Sequence, residues 1–424
     1  MPSYLIEENL MSKNDSNVAI VFDDVTEFYV MRPAIDDMKK NKIQVDIIVP
    51  FDSGYHGLAE HTLNKIIELG YKPMNDAPKN KTYKVLLTPY PNLSIVNRIK
   101  YIYHLRYPYG AISAKPNPVF LPEWKIEYNG IFSFNSYEPS FLDAYGTKYH
   151  IVPYWRYQNF KKDNTKKTKP NLLILPTFGT DTSCIKFFTK SSIQAIKSHY
   201  NVISKAHHAT HFNSDEDDSF SILQELSDEF FDSDTQLDSL LKKADIVLSD
   251  NSGAIFEAIY AGIPVALFCK NLNQRKLDHI NTLQYDLAQK QIIPYTDQPN
   301  QILPMLQNIK PFIPKQSAIR KQLFPPFKDN SASAFTTVIK EYLSLDPLKD
   351  YRKTIHDQLI NKIKKDESTI DLLNQKIATL ELQVAKQSEE INNLYQSTSW
   401  KITKPLRSIK QVFNNGEKDN AQKQ

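Results

Sequence analysis

Apolar positions change period along the chain, and the changes mark out its elements. Val18–Phe22 (VAIVF) is an unbroken, β-branched apolar run, whereas Glu27–Lys40 places its apolar residues three or four apart. Val45–Val49 (VDIIV) and Leu58–Leu69 repeat the pair, so the chain opens as strand, helix, strand, helix. Short apolar strands between amphipathic helices predict a parallel sheet covered on both faces. Tyr83–Leu87, Ile99–Tyr103, Gly130–Phe134 and Tyr149–Val152 supply further strands and Pro139–Tyr145 a helix, completing a first Rossmann-like domain over residues 1–159. Residues 160–170 (FKKDNTKKTKP) are polar and basic and end in proline, which reads as a linker. The pattern then restarts over residues 171–346. Leu172–Leu175, Val202–Lys205, Ile246–Leu248 and Val265–Phe268 are strands, with helices at Cys184–Ser198, Thr235–Lys243 and Ala254–Ala261. The expected fold is α/β, two Rossmann-like domains facing a cleft where a ligand would bind.

From Tyr351 the period becomes seven. Ile363, Ile370, Ile377, Val384 and Ile391 recur at heptad position a, with Leu359, Leu373, Leu380 and Leu394 at d. β-Branched a and leucine d favour a parallel two-stranded coiled coil over residues 351–396, interrupted at d by Asp366 and Gln387. A long helix packed on its own globular part is the other reading. Residues 397–413 (STSWKITKPLRSIKQVF) then interleave Trp400, Lys401, Lys404, Arg407 and Lys410 with Ile402, Leu406, Ile409, Val412 and Phe413. That mixture suits an anionic membrane surface, and residues 414–424 read as a disordered tail.

Length and charge narrow the picture. A chain of 424 residues exceeds what one hydrophobic core usually serves, in keeping with two domains. A net charge of +4 is too mild to argue for a nucleic-acid partner. Cys184 and Cys269 have no ligand spacing, so neither disulfides nor zinc are expected, and a reduced compartment fits. The N-terminus, MPSYLIEENLMSKNDSN, is acidic where a signal peptide is basic, and no apolar run reaches about 18 residues. Membrane contact is therefore expected to be peripheral.

The candidate chemistry centres on LSDNSGAIFEAIYAGIPVALF, Leu248–Phe268. Ala244–Leu248 is a strand, so Ser249, Asp250, Asn251, Ser252 and Gly253 lie where a strand ends and a helix begins. Unpaired N–H groups and the helix dipole favour an anion there. Gly253 lets a phosphate approach the backbone, Ser252 adds a hydroxyl, and Glu257 lies one turn on, within reach of a ribose. Gly262 and Pro264 turn the chain into the next strand. The plainer alternative makes Ser252 an N-cap, Gly253 a packing residue and Glu257 a solvated first-turn acid.

The pattern ADIVLSDNSGAIFEAIYAGIPV resembles the nucleotide-binding segment of two-domain GT-B transferases, especially the CDP-glycerol glycerophosphotransferase family of teichoic acid synthesis. That family has Ser-Ser where this chain has Ser252-Gly253. Asn251, Gly253 and Glu257 are closer to the related nucleotide-sugar epimerases and transferases. NLLILPTFGTDTS resembles the family's first nucleotide-domain strand and loop, VISKAHHATHF its Lys-x-His-Pro strand end, and KDNSASAFTTVIKEYL its closing helix. The resemblance implies a donor site of Thr177, Gly179, Ser249, Asp250, Ser252, Gly253 and Glu257, with no cofactor and no metal. His207 would stabilise the departing phosphate. A metal held by His207, His208 and His211 is the other reading of that cluster, although the acidic run Asp215–Asp218 that follows reads as a solvated loop. The acceptor's base would come from the first domain, where relatives carry His-Gly. His104 stands there, with Leu105 in place of the glycine; a histidine packed beside aromatics is the other reading of it, and His56 and the Asp23–Asp24 pair are rivals for the base. The tail is similar to the Ser-Trp-Arg/Lys-Ile-Thr-x-Pro-Leu-Arg tails of bacterial surface-polysaccharide glycosyltransferases. Together these imply a homodimeric, peripheral enzyme at the cytoplasmic face of the membrane, moving glycerol phosphate from CDP-glycerol to a lipid-linked surface polymer. A nucleotide-sugar glycosyltransferase of the same fold and a non-catalytic scaffold are the alternatives.

Overall fold

The computed structural model describes residues 18–51, 57–90, 94–112, 127–137, 147–157, 160–163, 165, 167–177, 183–207, 217–232, 235–250, 252–269, 283–329, 331–347 and 349–396. Within them the apolar runs assemble into two all-parallel sheets. The first holds β1 (Val18–Val21), β2 (Val45–Ile48), β3 (Pro73–Met74), β4 (Thr82–Thr88), β5 (Lys100–Arg106), β6 (Gly130–Ser133) and β7 (Lys148–Ile151), in the order β3-β2-β1-β4-β5-β6-β7. The second holds β8 (Asn171–Leu175), β9 (Asn201–Lys205), β10 (Glu229–Phe231), β11 (Ile246–Ser249), β12 (Val265–Phe268) and β13 (Tyr295–Thr296), in the order β10-β9-β8-β11-β12-β13. Strand order reverses between β1 and β4 in one sheet and between β8 and β11 in the other. Crevices open at the carboxyl ends of such strands.

Local chemistry shifts several predicted elements. The helix expected over Cys184–Ser198 breaks into a 3-10 turn, Ile185–Phe187, and a new helix, Lys190–His199. Thr189 and Ser192 cause the break: each side chain accepts the other's backbone N–H, a capping box that starts a helix afresh. The acidic run read as loop instead leads into a helix, Asp217–Leu226, which buries Leu223 and Leu226. Gly262 caps the helix Ala254–Ala261 at φ 77°, a left-handed conformation that glycine adopts without strain. The expected helix Pro139–Tyr145 lies outside the described residues.

The helix Ser333–Ser344 follows the second sheet in sequence but packs on the first. Phe335 stacks 4.1 Å from Phe132, and Lys84 Nζ donates to the Leu343 carbonyl at 2.7 Å. A Cβ on Gly130 would collide with the Tyr342 hydroxyl, so this contact requires glycine. Tyr103 then donates to Asp350 at 3.1 Å, and Asn129 Nδ2 lies 3.1 Å from His356 Nδ1. The long helix Tyr351–Gln396 thus starts on the first domain. The chain divides after Asp357 into one unit that carries both sheets and a second from Gln358 onward. Among the described residues no helix is long and apolar enough to cross a membrane.

Candidate functional site

The second sheet's crevice is built around a carboxylate. The Ser249 hydroxyl, at the end of β11, donates to the Leu175 carbonyl at the end of β8 and fixes the two strand ends together. The next residue, Asp250, is only 1% exposed. Its Oδ1 accepts the N–H groups of Thr177 (2.9 Å) and Ser252 (3.1 Å), and its Oδ2 accepts that of Cys184 (3.1 Å). Asp250 therefore ties the chain after β8 and the start of the next helical turn to the chain after β11. Burial pushes its pKa up to about 6, against the opposing pull of the N–H donors. Ser249 and Asp250 act on the scaffold of the crevice, which a strand-end motif alone does not disclose.

Ser252 Oγ accepts the Ala254 N–H at 3.3 Å just before the helix Ala254–Ala261, whose N-cap is Gly253. Gly253 has an ordinary helical φ of −61°, and a Cβ there would lie 3.5 Å from the Ile112 carbonyl of the first domain. Its bare backbone therefore faces the other domain. That helix is apolar nearly all round (AIFEAIYA), which suits burial between the domains.

Glu257 is not a solvated acid. It is 4% exposed and reaches the first domain, where Oε1 accepts the Ala111 N–H at 2.9 Å and the Tyr154 hydroxyl lies 2.6 and 2.8 Å from its two oxygens. Burial, then the Glu257 charge, push the Tyr154 hydroxyl well above its ordinary pKa, so it stays a donor. Tyr154 itself stacks on Phe134 at 4.2 Å. The residue expected at a ribose thus holds the two domains together here.

The first sheet's crevice, between β1 and β4, collects groups that motif reading passed over. Asp24 Oδ1 caps its own helix by accepting the N–H groups of Thr26 and Glu27. Glu27 is 3% exposed and accepts the Asp23 N–H at 2.8 Å. Burial, then the charges of Asp24 and Asp23, push its carboxyl well above the usual range. The Tyr107 hydroxyl donates to the Val21 carbonyl at 2.7 Å and lies 3.1 Å from Glu27 Oε2. Arg106 Nε donates to the Pro89 carbonyl at 3.2 Å beside the Tyr109 ring. Glu27 looks in sequence like any first-turn acid; only the aspartates before it hint at a cluster. Asp23 stays half-buried at the crevice edge.

His104 is corrected by its position. β5 continues to Arg106, so His104 pairs with Leu86 inside the strand, 2% exposed. Its Nε2 lies 2.8 Å from Thr88 Oγ1, its backbone N–H donates to Asn129 Oδ1 at 2.8 Å, and its ring is 4.4 Å from Tyr128. Leu105 and Arg106 extend the strand past the point where His-Gly would end it, and the imidazole is enclosed. His207 follows β9, half-buried, two residues beyond Lys205. Gly179, Asn251, His208, His211, His56, Trp400, Lys401, Lys404, Arg407 and Lys410 lie outside the described residues.

No protein family's profile matches the chain, and no curated protein does. Solved structures do. A Listeria monocytogenes protein assigned as a UDP-N-acetylglucosamine 2-epimerase is 11% identical, with 79% of this chain and 98% of that one aligned at a TM-score of 0.52. The fold is GT-B-like. The Neisseria meningitidis UDP-GlcNAc 2-epimerase bound to UDP-GlcNAc is 13% identical over 77% of this chain and 99% of that one, at a TM-score of 0.48. The wall teichoic acid polymerase TagF is 11% identical over 78% and 90%, also at 0.48. The strand ends described above belong to the two parallel sheets of that fold.

Proposed function

We propose that the chain is a GT-B transferase that takes a nucleoside-diphosphate-linked donor in the second domain's crevice and passes its glycerol phosphate to a lipid-linked surface polymer. One observation supports this reading: buried Asp250 draws the N–H groups of Thr177, Cys184 and Ser252 together at the β8/β11 switch point, just before the helix beginning at Ala254. A diphosphate would lie against Ser252 and the bare backbone of Gly253, where N–H groups and the helix dipole compensate its charge. Thr177 and Gly179 would line the opposite loop. On binding, the donor ribose would take Glu257 from Tyr154. His207 would meet the departing phosphate, where negative charge grows as the bond breaks. With His104 enclosed and Asp24 capping its helix, Asp23 takes the place of the acceptor's base, and Glu27 positions it.

CDP-glycerol is the donor that the sequence resemblance names. A nucleotide sugar is the second reading, favoured by Gly253 and Glu257 and by the UDP-N-acetylglucosamine of the epimerase whose fold the chain resembles. The heptad helix would make a homodimer, and residues 397–413 would hold it to the anionic cytoplasmic face of the membrane, where lipid-linked acceptors are found. Thermal-shift measurement with CDP-glycerol, CMP, UDP and UDP-sugars tests the donor. Stabilisation by the cytidine ligands supports glycerol phosphate transfer, stabilisation by the uridine ligands supports sugar transfer, and no shift with any nucleotide overturns the transferase reading.

A further inference from the structure

The long helix leaves its heptad stripe open. Ile370, Leu373, Ile377, Leu380, Val384 and Ile391 each expose between 50% and 64% of their surface, on rows a and d. A continuous apolar row of that kind marks an interaction face. What covers it is decided by the charges on either side. In the same register Lys362 and Lys376 fall at g, and Glu367 and Glu381 at e.

Two copies laid parallel and in register would bring Lys362 to Glu367 and Lys376 to Glu381 of the second copy, each pair occurring twice by symmetry. Two antiparallel arrangements keep the a and d rows opposed along the helix. With Leu359 opposite Ile391, Glu367 meets Glu381 twice and Lys376 meets Lys376, with Lys362 against Glu390 in compensation; with Leu394 opposite Ile363, Glu367 meets Ser388, Glu381 meets Asn374 and Lys376 meets Gln383, so no charge pair forms. The β-branched a row with leucine at d also belongs to two-stranded, parallel coils. We propose that the helix pairs with a second copy of this chain, parallel and in register, a deepening of the dimer in the proposed function.

The orientation has a physical consequence. Parallel helices deliver both 397–413 segments to the same end. Antiparallel ones would separate them by the length of a 46-residue helix, about 69 Å. Two weak membrane-binding segments at one end act on one patch of surface, so the second binds at the high effective concentration set by the first.

The experiment uses the full-length protein. Light scattering should give twice the chain mass of 49.0 kDa, and Ile377→Asp with Leu380→Asp should give the monomer with its donor thermal shift unchanged. Glu381→Lys separates the orientations. The parallel pair then sets Lys376 against a lysine, and the dissociation constant should rise roughly three- to tenfold. An antiparallel pair would instead set the new lysine against Glu367 or Asn374 and would not weaken. Adding Lys376→Glu should restore the parallel dimer. Ile391→Cys should cross-link under mild oxidation, because a faces a in the parallel pair; the antiparallel pairs would hold those thiols about 38 to 48 Å apart. Cys184 and Cys269 are buried and do not compete. A monomer at every concentration overturns the dimer itself. A dimer that does not weaken with Glu381→Lys and does not cross-link through position 391 overturns the orientation alone. Donor binding, read separately by thermal shift, is unaffected by either failure.

Discussion

The two crevices arise from the same unit, a parallel strand that ends in acidic residues before a helix, yet they use the carboxylates differently. After β11, Asp250 is sealed and engaged by three backbone N–H groups. After β1, Asp24 caps its own helix, Glu27 is sealed one turn later, and Asp23 stays at the edge of the crevice. A carboxylate that collects N–H groups from separate segments makes a rigid cradle, suited to a ligand part that does not change during reaction. The half-buried one is the carboxylate to which the proposed function gives proton transfer. Under the proposed function, the contrast assigns donor binding to the second half and reaction to the first.

The largest effect should come from Asp250→Ala, which leaves three buried N–H groups without an acceptor. A stability loss of about 3 kcal/mol or more and the loss of donor binding are expected in chemical denaturation and thermal shift. A change below about 1 kcal/mol would remove the cradle from the comparison.

Next comes the pH response. Asp250 has a folded pKa of about 6. That lies above the unfolded value near 4, so the linked stability is fully present below the unfolded pKa and lost as pH rises through about 6, at most about 3 kcal/mol. The stability of wild type relative to Asp250→Asn should therefore be greatest near pH 4, shrink toward pH 6, and stay level above it. A flat difference would mean that the carboxylate is better hydrated than its burial implies.

The contact between the crevices should matter less. Tyr154→Phe removes the hydroxyl from Glu257 and should cost about 1.5–3 kcal/mol of stability. Under the proposed function the same change should tighten donor binding, because Glu257 is released to the ribose. Tighter binding with unchanged stability, or the reverse, would separate the two roles. Glu257→Ala should weaken ribonucleotide binding more than that of deoxyribose analogues.

Smallest in stability, and sharpest for chemistry, is Asp23→Asn. At a half-buried edge it should change stability by about 0.5 kcal/mol or less. Turnover should nevertheless fall steeply, with the donor thermal shift preserved. His104→Ala should do the opposite, costing stability through the lost packing and the Thr88 contact while the folded fraction turns over almost normally. Turnover lost in His104→Ala and kept in Asp23→Asn would reverse the assignment of the base.

The fold was legible because burial on both faces leaves an unbroken apolar run, and Val18–Val21, Ile246–Ser249 and Val265–Phe268 have such runs. The strand-to-helix turn at Ser249–Gly253 was legible for the same reason, as was the glycine cap at Gly262. Other features were not. Glu229–Phe231 is too short to carry a period, and the capping box that splits the helix after Phe187 needs Thr189 and Ser192 read as a pair.

The sequence by itself determined the two sheets, the position of the strand-to-helix turn after β11 and the heptad stripe, since each follows from the spacing of apolar residues or from one local backbone demand. Tertiary structure alone decided what the polar side chains meet. Asp250 became a scaffold residue because loops 73 and 66 residues distant converge on it, and Glu257 a contact between domains because Tyr154 lies 103 residues earlier. His104 is enclosed because Thr88, Tyr128 and Asn129 surround it. A periodic pattern records which face is buried, but a hydrogen-bond partner depends on chain segments brought together by topology, and no local spacing encodes that distance.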